Sequence, residues 1–272
     1  MLPSFLLIGA MKSGTTTLYW YLREHPDVFM ATPKEPNFFN AHWHRGVGWY
    51  ERLFAAAGAA QARGEASVRY TSYPDNPECP SRIASVLPDV RLLYVVRDPI
   101  ARMQSHYLHE VAALRERLPV ERALRENPIY LDFSRYATQL ERYLDRFPRE
   151  QLMVVRAEDL FVNPSLVLPR VYRFVGVDPS FRPANPARRD NETAQRFQLP
   201  TIVRQGIGLA VRADVYRHVP QWAKDTVRTV TRRRSRTAPD MRIPDDLAAT
   251  LRAQLADEMR RVDAIAGSQL FS

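Results

Sequence analysis

The segment from Phe5 to Leu18 restricts the possible folds of this chain more strongly than any other part of the sequence. It begins with a short apolar run, Phe5 to Ile8, which is typical of a strand buried on both faces. Gly9 and Gly14 then interrupt this run, and a helical pattern begins at Thr15. A glycine loop between a strand and a helix directs backbone N–H groups at one spot, where the positive end of the helix dipole adds to them. The segment therefore predicts a site for phosphate or sulfate.

The side chains of this loop suit the same kind of ligand. Lys12 supplies a mobile cation. Hydroxyl donors stand at Ser13, Thr15, Thr16 and Thr17. The usual nucleotide P-loop reads Gly-x4-Gly-Lys-Ser/Thr, whereas here Thr15 follows the second glycine and the lysine lies two residues before Gly14. This loop has three interpretations: a structural turn, an ordinary ATP or GTP loop, and a site for another phosphorylated nucleotide. The lysine and the neighbouring hydroxyl groups favour the third interpretation.

Composition narrows the class of protein. At 272 residues, with 45% hydrophobic and 25% charged residues, we expect one soluble domain that extends over residues 1–272. The net charge of +9 favours anionic partners without choosing among nucleotides, nucleic acid and membranes. Cys79 is the only cysteine, which fits a reducing compartment. Because we see neither a signal peptide nor an apolar run of ~20 residues, we expect a cytoplasmic enzyme.

Strand and helix patterns alternate along the chain. The clearest later strand, Val90 to Val96, ends at Arg97-Asp98-Pro99 before another helix. Further strands are predicted at 64–70 and 152–155, and helices at 133–147, 164–175 and 245–266. This alternation predicts an α/β fold, with a single P-loop-like domain whose mostly parallel central sheet is flanked by helices and whose C-terminal part, 201–272, is mostly helical.

Two further segments are candidates for the chemistry. Pro33 and Pro36 flank the Lys34-Glu35 pair, which predicts a rigid, extended connection that carries a carboxylate. Arg97 follows a buried strand, as the glycine loop does, so both anion-binding groups are expected at the carboxyl ends of strands. A nucleotide with phosphates at both ends would span them.

The order of these motifs resembles the sulfotransferases that use 3′-phosphoadenosine 5′-phosphosulfate (PAPS), and most of all their bacterial members that share motifs with the heparan-sulfate branch. The segments that carry the resemblance are 9–18, 34–39, Arg97-Asp98-Pro99 with Arg102 and Ser105, 64–67, 147–152, 158–160 and 176–178. The resemblance therefore covers nearly the whole chain, and it implies the fold named above.

The resemblance also implies roles for individual residues. The loop residues that would wrap the 5′-phosphosulfate are Lys12, Ser13, Gly14, Thr15 and Thr16. Arg97 and Ser105 would hold the 3′-phosphate, Glu35 would be the general base, and adenosine 3′,5′-bisphosphate (PAP) would be the product. Lys12 suits an in-line transfer because negative charge grows on the departing phosphate oxygen. No metal is expected.

Several assignments have rivals. The cytosolic branch of the sulfotransferase family uses a histidine as base, so His106 and His109 are alternatives to Glu35. A further alternative is that Glu35 only forms an ion pair with Lys34. Glu65 and Arg69 either face the acceptor or form a structural ion pair. Arg188 and Arg189 are loose counterparts of a basic loop that closes over the nucleotide in this family.

The acceptor is left open as a small molecule, a lipid or a glycan. The aromatic residues that either line an acceptor pocket or pack in the core are Phe38, Phe39, Trp43, Trp49, Tyr70 and Tyr73. The basic segment 201–236 has three interpretations: a solvated helical face, a site for an acidic glycan, or a contact with an anionic membrane.

Two other functions compete with sulfuryl transfer. A P-loop kinase or NTPase would use Mg-ATP, with Asp98 binding the magnesium ion. A basic protein that binds nucleic acid or a membrane surface would use 201–236, but it would leave the loop chemistry unexplained, so we expect no nucleic-acid partner.

Overall fold

A five-stranded parallel sheet lies at the centre of the protein. The computed structural model describes residues 1–185 and 242–271. The strands are β1 (Phe5–Gly9), β2 (Val28–Met30), β3 (Ala62–Ala66), β4 (Arg91–Val96) and β5 (Leu152–Arg156). They lie in the order β2-β3-β1-β4-β5, and all neighbouring strands are parallel. Every residue of β1 is buried, as expected for a strand covered by helices on both sides.

Helices connect the strands. They are α1 (Thr15–Glu24), α2 (Val47–Arg52), α3 (Cys79–Val86), α4 (Pro99–Ala112), α5 (Val120–Glu126), α6 (Ile129–Asp132), α7 (Tyr136–Leu144), α8 (Ala157–Val162), α9 (Pro164–Val175) and α10 (Asp245–Ala266). Short 3-10 turns occur at Trp43–Arg45, Ala55–Ala57, Val68–Thr71 and Arg149–Gln151. Among these described helices, none is both long and apolar enough to cross a membrane.

The two faces of the sheet are covered by different helices. Helices α1 and α9 pack on the face that presents Phe5 and Leu7, and α3, α7 and α10 pack on the face that presents Leu6 and Ile8. Helix α1 follows β1, and α7 lies in the connection from β4 to β5. The chain therefore leaves the neighbouring strands β1 and β4 toward opposite faces. Open α/β sheets form their ligand crevice at such a point, outside the carboxyl ends of the strands.

The predicted fold class is confirmed, and the bounds of α9 and α10 agree with the patterns at 164–175 and 245–266. The strand predicted at 64–70 is wrong beyond Ala66, because Val68–Thr71 turns over the end of β1, where the Thr71 hydroxyl donates to the carbonyl of Ile8 at 2.8 Å. Strand β2 was missed because three residues are too few for a periodic pattern.

The remaining predictions concern one helix whose bounds differ and segments that the structure does not describe. The helix predicted at 133–147 begins only at Tyr136, after the separate short helix α6. Arg188, Arg189 and the basic segment 201–236 lie outside the described residues. The extent of the domain over residues 1–272 remains a prediction.

Candidate active site

A cleft of about 1030 Å³ lies over the carboxyl ends of β1 and β4. The predicted site residues in its wall are Lys12, Gly14, Thr15, Thr16, Glu35, Arg97 and Ser105. These residues come from three separate parts of the chain, and the topology of the sheet brings them together. Ser13 differs from the others because it is fully buried below the loop.

The first wall of the cleft is the loop between β1 and α1. A Cβ on Gly9 would lie 2.1 Å from the Thr71 hydroxyl oxygen, so a larger residue does not fit there. Gly14 has a φ of 89°, which favours glycine, and a Cβ there would lie 2.6 Å from the ring of Phe161. No side chain caps α1 at Gly14, where the amide of Thr17 donates to the Gly14 carbonyl at 3.0 Å, and the start of such a helix favours an anion.

Ser13 is buried on the inner side of the loop, away from the cleft. Its amide donates to the carbonyl of Ala10 at 3.2 Å. Its hydroxyl makes no well-formed hydrogen bond, although it lies near enough to Tyr136 to lower the pKa of that phenol. Burial has the larger effect and raises the pKa of Tyr136 to about 12. The geometry thus leaves the Ser13 hydroxyl out of the cleft wall.

The second wall begins where β4 ends. The Arg97 guanidinium donates to the carbonyl of Lys12 at 3.5 Å, so the two predicted anion-binding groups are in direct contact. The Tyr136 hydroxyl donates to the carbonyl of Arg97 at 3.0 Å and holds its backbone. Asp98 starts α4, since its carboxylate accepts from the amide of Ala101 at 2.8 Å. The carboxylate that a kinase would use for magnesium is therefore a helix cap.

Glu35 lies in the cleft on a turn held against β3. Its amide donates to the carbonyl of Ala66, and the Asn37 side-chain amide donates to the carbonyl of Glu35, both at 2.9 Å. The φ of Glu35 is 62° and that of Asn37 is 51°, so the connection is irregular, not extended as predicted. Lys34 Nζ lies 2.9 Å from Glu35 Oε1, which means that the ion pair considered from the sequence is present.

The histidine alternatives differ in their surroundings. Burial, together with the charge of Arg102, lowers the pKa of His106 to about 2. Its ring is neutral at ordinary pH and is a very weak base. Arg102 is itself fully buried and donates to the Ser134 hydroxyl at 2.7 Å and to the carbonyl of Tyr130 at 2.6 Å. Both His106 and His109 lie in the cleft wall, so the weak basicity of His106 is what distinguishes them.

Glu65 and Arg69 do not form the ion pair considered from the sequence. Glu65 is fully buried and accepts hydrogen bonds from hydroxyl groups, so it does not face the acceptor. Arg69 lies in the cleft wall and pairs with Asp75 at 3.3 Å. The separation arises because β3 ends between them and the following 3-10 turn directs Arg69 outward.

The aromatic residues mostly belong to the core. Phe38, Phe39 and Tyr70 are fully or almost fully buried in the cluster on one face of the sheet, so the pocket interpretation is wrong for them. Cys79 is also buried, and burial raises the pKa of its thiol to about 12. This thiol stays protonated at ordinary pH and is not suited to act as a nucleophile.

Sequence reasoning missed part of the cleft wall. Glu110 and Arg115 lie there, joined by two hydrogen bonds of 2.6 and 2.8 Å, and Gln104 and Phe161 lie nearby. Helical spacing from Ser105 indicates Ala101, Leu108 and His109, but nothing in the sequence signals Arg115 or Phe161. In residues 1–185 and 242–271, no group of three or more His, Cys, Asp or Glu side chains is arranged to hold a metal ion.

Comparisons with known proteins agree with this site. Residues 2–197 match the family described as sulfotransferase domain. The chain is 32% identical over 202 residues to the human bifunctional heparan sulfate N-deacetylase/N-sulfotransferase 3, an alignment that covers 66% of this chain and 23% of that protein. It is 34% identical over 187 residues to the mouse heparan sulfate glucosamine 3-O-sulfotransferase 3B1, covering 65% of this chain and 46% of that protein. The chain thus spans less than half the length of these relatives.

A solved structure matches nearly the whole chain. A sulfotransferase from Alicyclobacillus acidocaldarius superposes with a TM-score of 0.68 at 26% identity, covering 98% of this chain and 97% of the other. The sulfotransferase domain from the curacin biosynthetic pathway has a TM-score of 0.50 at 14% identity and covers 94% of this chain and 98% of its own, which indicates a shared fold.

Proposed function

The chain belongs to the sulfotransferase family, and on this basis we propose that it transfers the sulfuryl group of PAPS to a hydroxyl or amine group of an acceptor. The observation that carries the proposal is the meeting of Lys12 and Glu35 with Arg97 and Ser105 in one cleft. This arrangement supports a donor with phosphate at both ends. It gives less support to a Mg-ATP enzyme, since the Asp98 carboxylate caps α4.

The residues of the cleft fit PAPS. The loop offers the N–H groups of the first turn of α1, the hydroxyls of Thr15 and Thr16 and the cation of Lys12, and these would hold the 5′-phosphosulfate. Arg97, whose guanidinium reaches the carbonyl of Lys12, would hold the 3′-phosphate together with Ser105. Glycine at position 14 lets the loop take a φ of 89° close against the ring of Phe161. When bound, PAPS supplies an activated sulfuryl group whose leaving group is a nucleotide phosphate.

In this proposal Glu35 removes the proton from the acceptor. A positioned general base typically contributes ~10²–10⁴-fold to the rate. Lys12 stabilises the negative charge that grows on the leaving oxygen, where a cation in a site shielded from water acts more strongly than in bulk solvent. Lys34 Nζ lies 2.9 Å from Glu35 Oε1, and both residues lie in the cleft wall.

We propose that the acceptor is a glycan. Both relatives are named for heparan sulfate, and the mouse enzyme also for its glucosamine units. The cleft that contains Glu35 also has Lys34, Arg69 and Arg115 in its wall, and these cations suit a chain with acidic groups. A smaller hydroxyl compound or a lipid is the alternative.

The test combines donor binding and transfer. Immobilised PAP is expected to retain the folded protein, and radiolabelled PAPS is expected to label heparan sulfate in the presence of the enzyme. A panel with a simple phenol and a lipid alcohol tests the alternative acceptors. Failure of the folded protein to bind PAP would contradict the proposal, as would transfer from ATP in place of PAPS.

A further inference from the structure

We propose that Glu65 is a positioning residue that holds the Glu35 turn, residues 35–39, in the geometry used for proton removal. The role of Glu35 itself rests on the proposed function. Glu65 does not touch the cleft, and its side chain acts through two hydroxyl groups that bind the backbone of the turn.

One of these links runs through Ser67. The Ser67 hydroxyl donates to Glu65 Oε2 at 2.8 Å and accepts from the amide of Asn37 at 3.0 Å. The Asn37 side chain in turn donates to the carbonyl of Glu35 at 2.9 Å. Glu65 is therefore connected to the backbone of Glu35 by three consecutive hydrogen bonds.

The other link runs through Tyr70. The Tyr70 hydroxyl donates to Glu65 Oε1 at 2.7 Å and accepts from the amide of Phe39 at 3.4 Å. A hydroxyl has one proton and two lone pairs, so a carboxylate that takes the proton turns the lone pairs toward another donor. One buried carboxylate thus orients two acceptors for the amides of Asn37 and Phe39.

The turn needs such support. Glu35 is a non-glycine residue in the left-handed region, which is seldom adopted unless the surrounding structure enforces it. Charge-assisted hydrogen bonds from buried hydroxyls are stronger than those between neutral groups. Burial raises the pKa of Glu65 to about 7, and its three hydroxyl donors oppose this effect by favouring the carboxylate.

The chain offers a matched control. Tyr50 also donates to Glu65 Oε1, at 3.1 Å, but its hydroxyl holds no amide of the turn in the described contacts. Its ring stacks on Phe38 and remains in place in Tyr50→Phe. This variant removes a hydrogen bond from Glu65 without removing a link to the turn.

The first experiment measures hydrogen exchange at single amides, at pH 8. Ser67→Ala is expected to speed exchange about 10-fold at Asn37 alone, and Tyr70→Phe at Phe39 alone. Glu65→Gln is expected to speed both, and Tyr50→Phe neither. The proposal is overturned if Glu65→Gln changes neither amide, or if Tyr50→Phe changes both as strongly. If Glu65→Gln does not fold, Ser67→Ala and Tyr70→Phe decide: the proposal holds if they speed exchange at Asn37 and Phe39 respectively, and it fails if they speed neither.

The second experiment measures turnover with radiolabelled PAPS and heparan sulfate. Glu65→Gln and Ser67→Ala are expected to lower kcat roughly 10- to 100-fold, because small displacements of a catalytic group are costly. PAP affinity and the KM for PAPS are expected to stay within about twofold, because those links do not reach the glycine loop, and Ser67→Thr is expected to restore kcat. An equal loss of PAP binding would contradict a role confined to the turn. If the wild-type protein transfers no sulfuryl group, the proposed function fails, and the exchange pattern still decides the role of Glu65.

Discussion

Lys12 and Glu35 share an uncommon backbone conformation, with φ values of 69° and 62°. Non-glycine residues in this region are often found at functional sites, where neighbouring contacts enforce them. Arg97 donates to the carbonyl of Lys12, the amide of Glu35 donates to the carbonyl of Ala66 in β3, and the Asn37 side chain donates to the carbonyl of Glu35. The two residues are held in place before any ligand is considered.

Two substitutions separate the roles proposed for these residues. Lys12→Ala is expected to lower kcat at least ~10²-fold, because charge on the leaving oxygen is no longer stabilised. Glu35→Gln is expected to lower kcat ~10²–10⁴-fold while PAP affinity is kept, because the amide cannot take a proton. Steady-state kinetics with PAP binding by calorimetry measure both effects. Normal turnover by Glu35→Gln would rule out its role as base.

Glu65 makes stability depend on pH. Burial raises its pKa from the ordinary value of 4.5 to about 7, and the titratable groups that interact with it are Tyr50, Tyr70, Cys79, Tyr143 and Glu35. Between pH 4.5 and pH 7, Glu65 therefore carries a proton in the folded state that it has released in the unfolded state. The stability from this proton is present below about pH 4.5 and is lost as pH rises through 7.

The corresponding measurement compares the wild-type protein with Glu65→Gln. When the pH rises from 4.5 to 8, the free energy of unfolding of the wild type is expected to fall by about 3 kcal/mol relative to that of Glu65→Gln. Urea unfolding at both pH values measures it. A difference that does not vary with pH would mean that Glu65 titrates alike in the folded and unfolded states.

At the scale of elements, the junction between β1 and α1 depends on its glycines. Gly14→Ala places a Cβ at a φ of 89° and 2.6 Å from Phe161, so we expect it to cost about 1–3 kcal/mol of stability and to weaken PAP binding. Gly48→Ala in α2 is the control, because a Cβ there meets nothing within 4 Å and φ is not positive. It is expected to be neutral or to stabilise by up to ~1 kcal/mol. Denaturant unfolding of both variants provides the comparison, and equal effects would contradict the argument.

At the scale of the whole molecule, the strand order determines where the candidate site lies. Because β1 and β4 are neighbours whose connections leave on opposite faces, Lys12 and Arg97 meet although 84 residues separate them in number. Helix α10 packs against α4 and α7, and the amide of Ile243 donates to Gln104 in the cleft wall at 2.8 Å. The C-terminal helix thus supports the side of the cleft formed by α4.

Ligand binding at this site is expected to stabilise the whole fold. PAP at 100 times its Kd adds about 2.7 kcal/mol, which raises Tm by roughly 5–10 °C in a chain of this size. Mg-ATP is expected to raise it much less. Arg97→Ala is expected to weaken PAP binding about 10- to 100-fold through loss of a charged hydrogen bond, with little change for adenosine 5′-monophosphate. A thermal shift series measures these differences, and an equal loss for both nucleotides would remove the 3′-phosphate role of Arg97.

The sequence by itself determined the fold class and the candidate site, because both are written in local patterns. A buried apolar run followed by Gly9, Lys12 and Gly14 has few structural solutions, and the same holds for β4 followed by Arg97. The segment bearing Glu35 was found because prolines on both sides mark a rigid connection.

Tertiary structure alone decided which polar groups face the cleft and which lie below it. Ser13 and Glu65 are polar and charged residues, yet both are fully buried, whereas Arg69 and Arg115 reach the cleft. Burial, and with it the pKa of Glu65 and of His106, depends on contacts between segments far apart in the chain. No local pattern encodes such contacts, because they arise only when the strands are placed side by side.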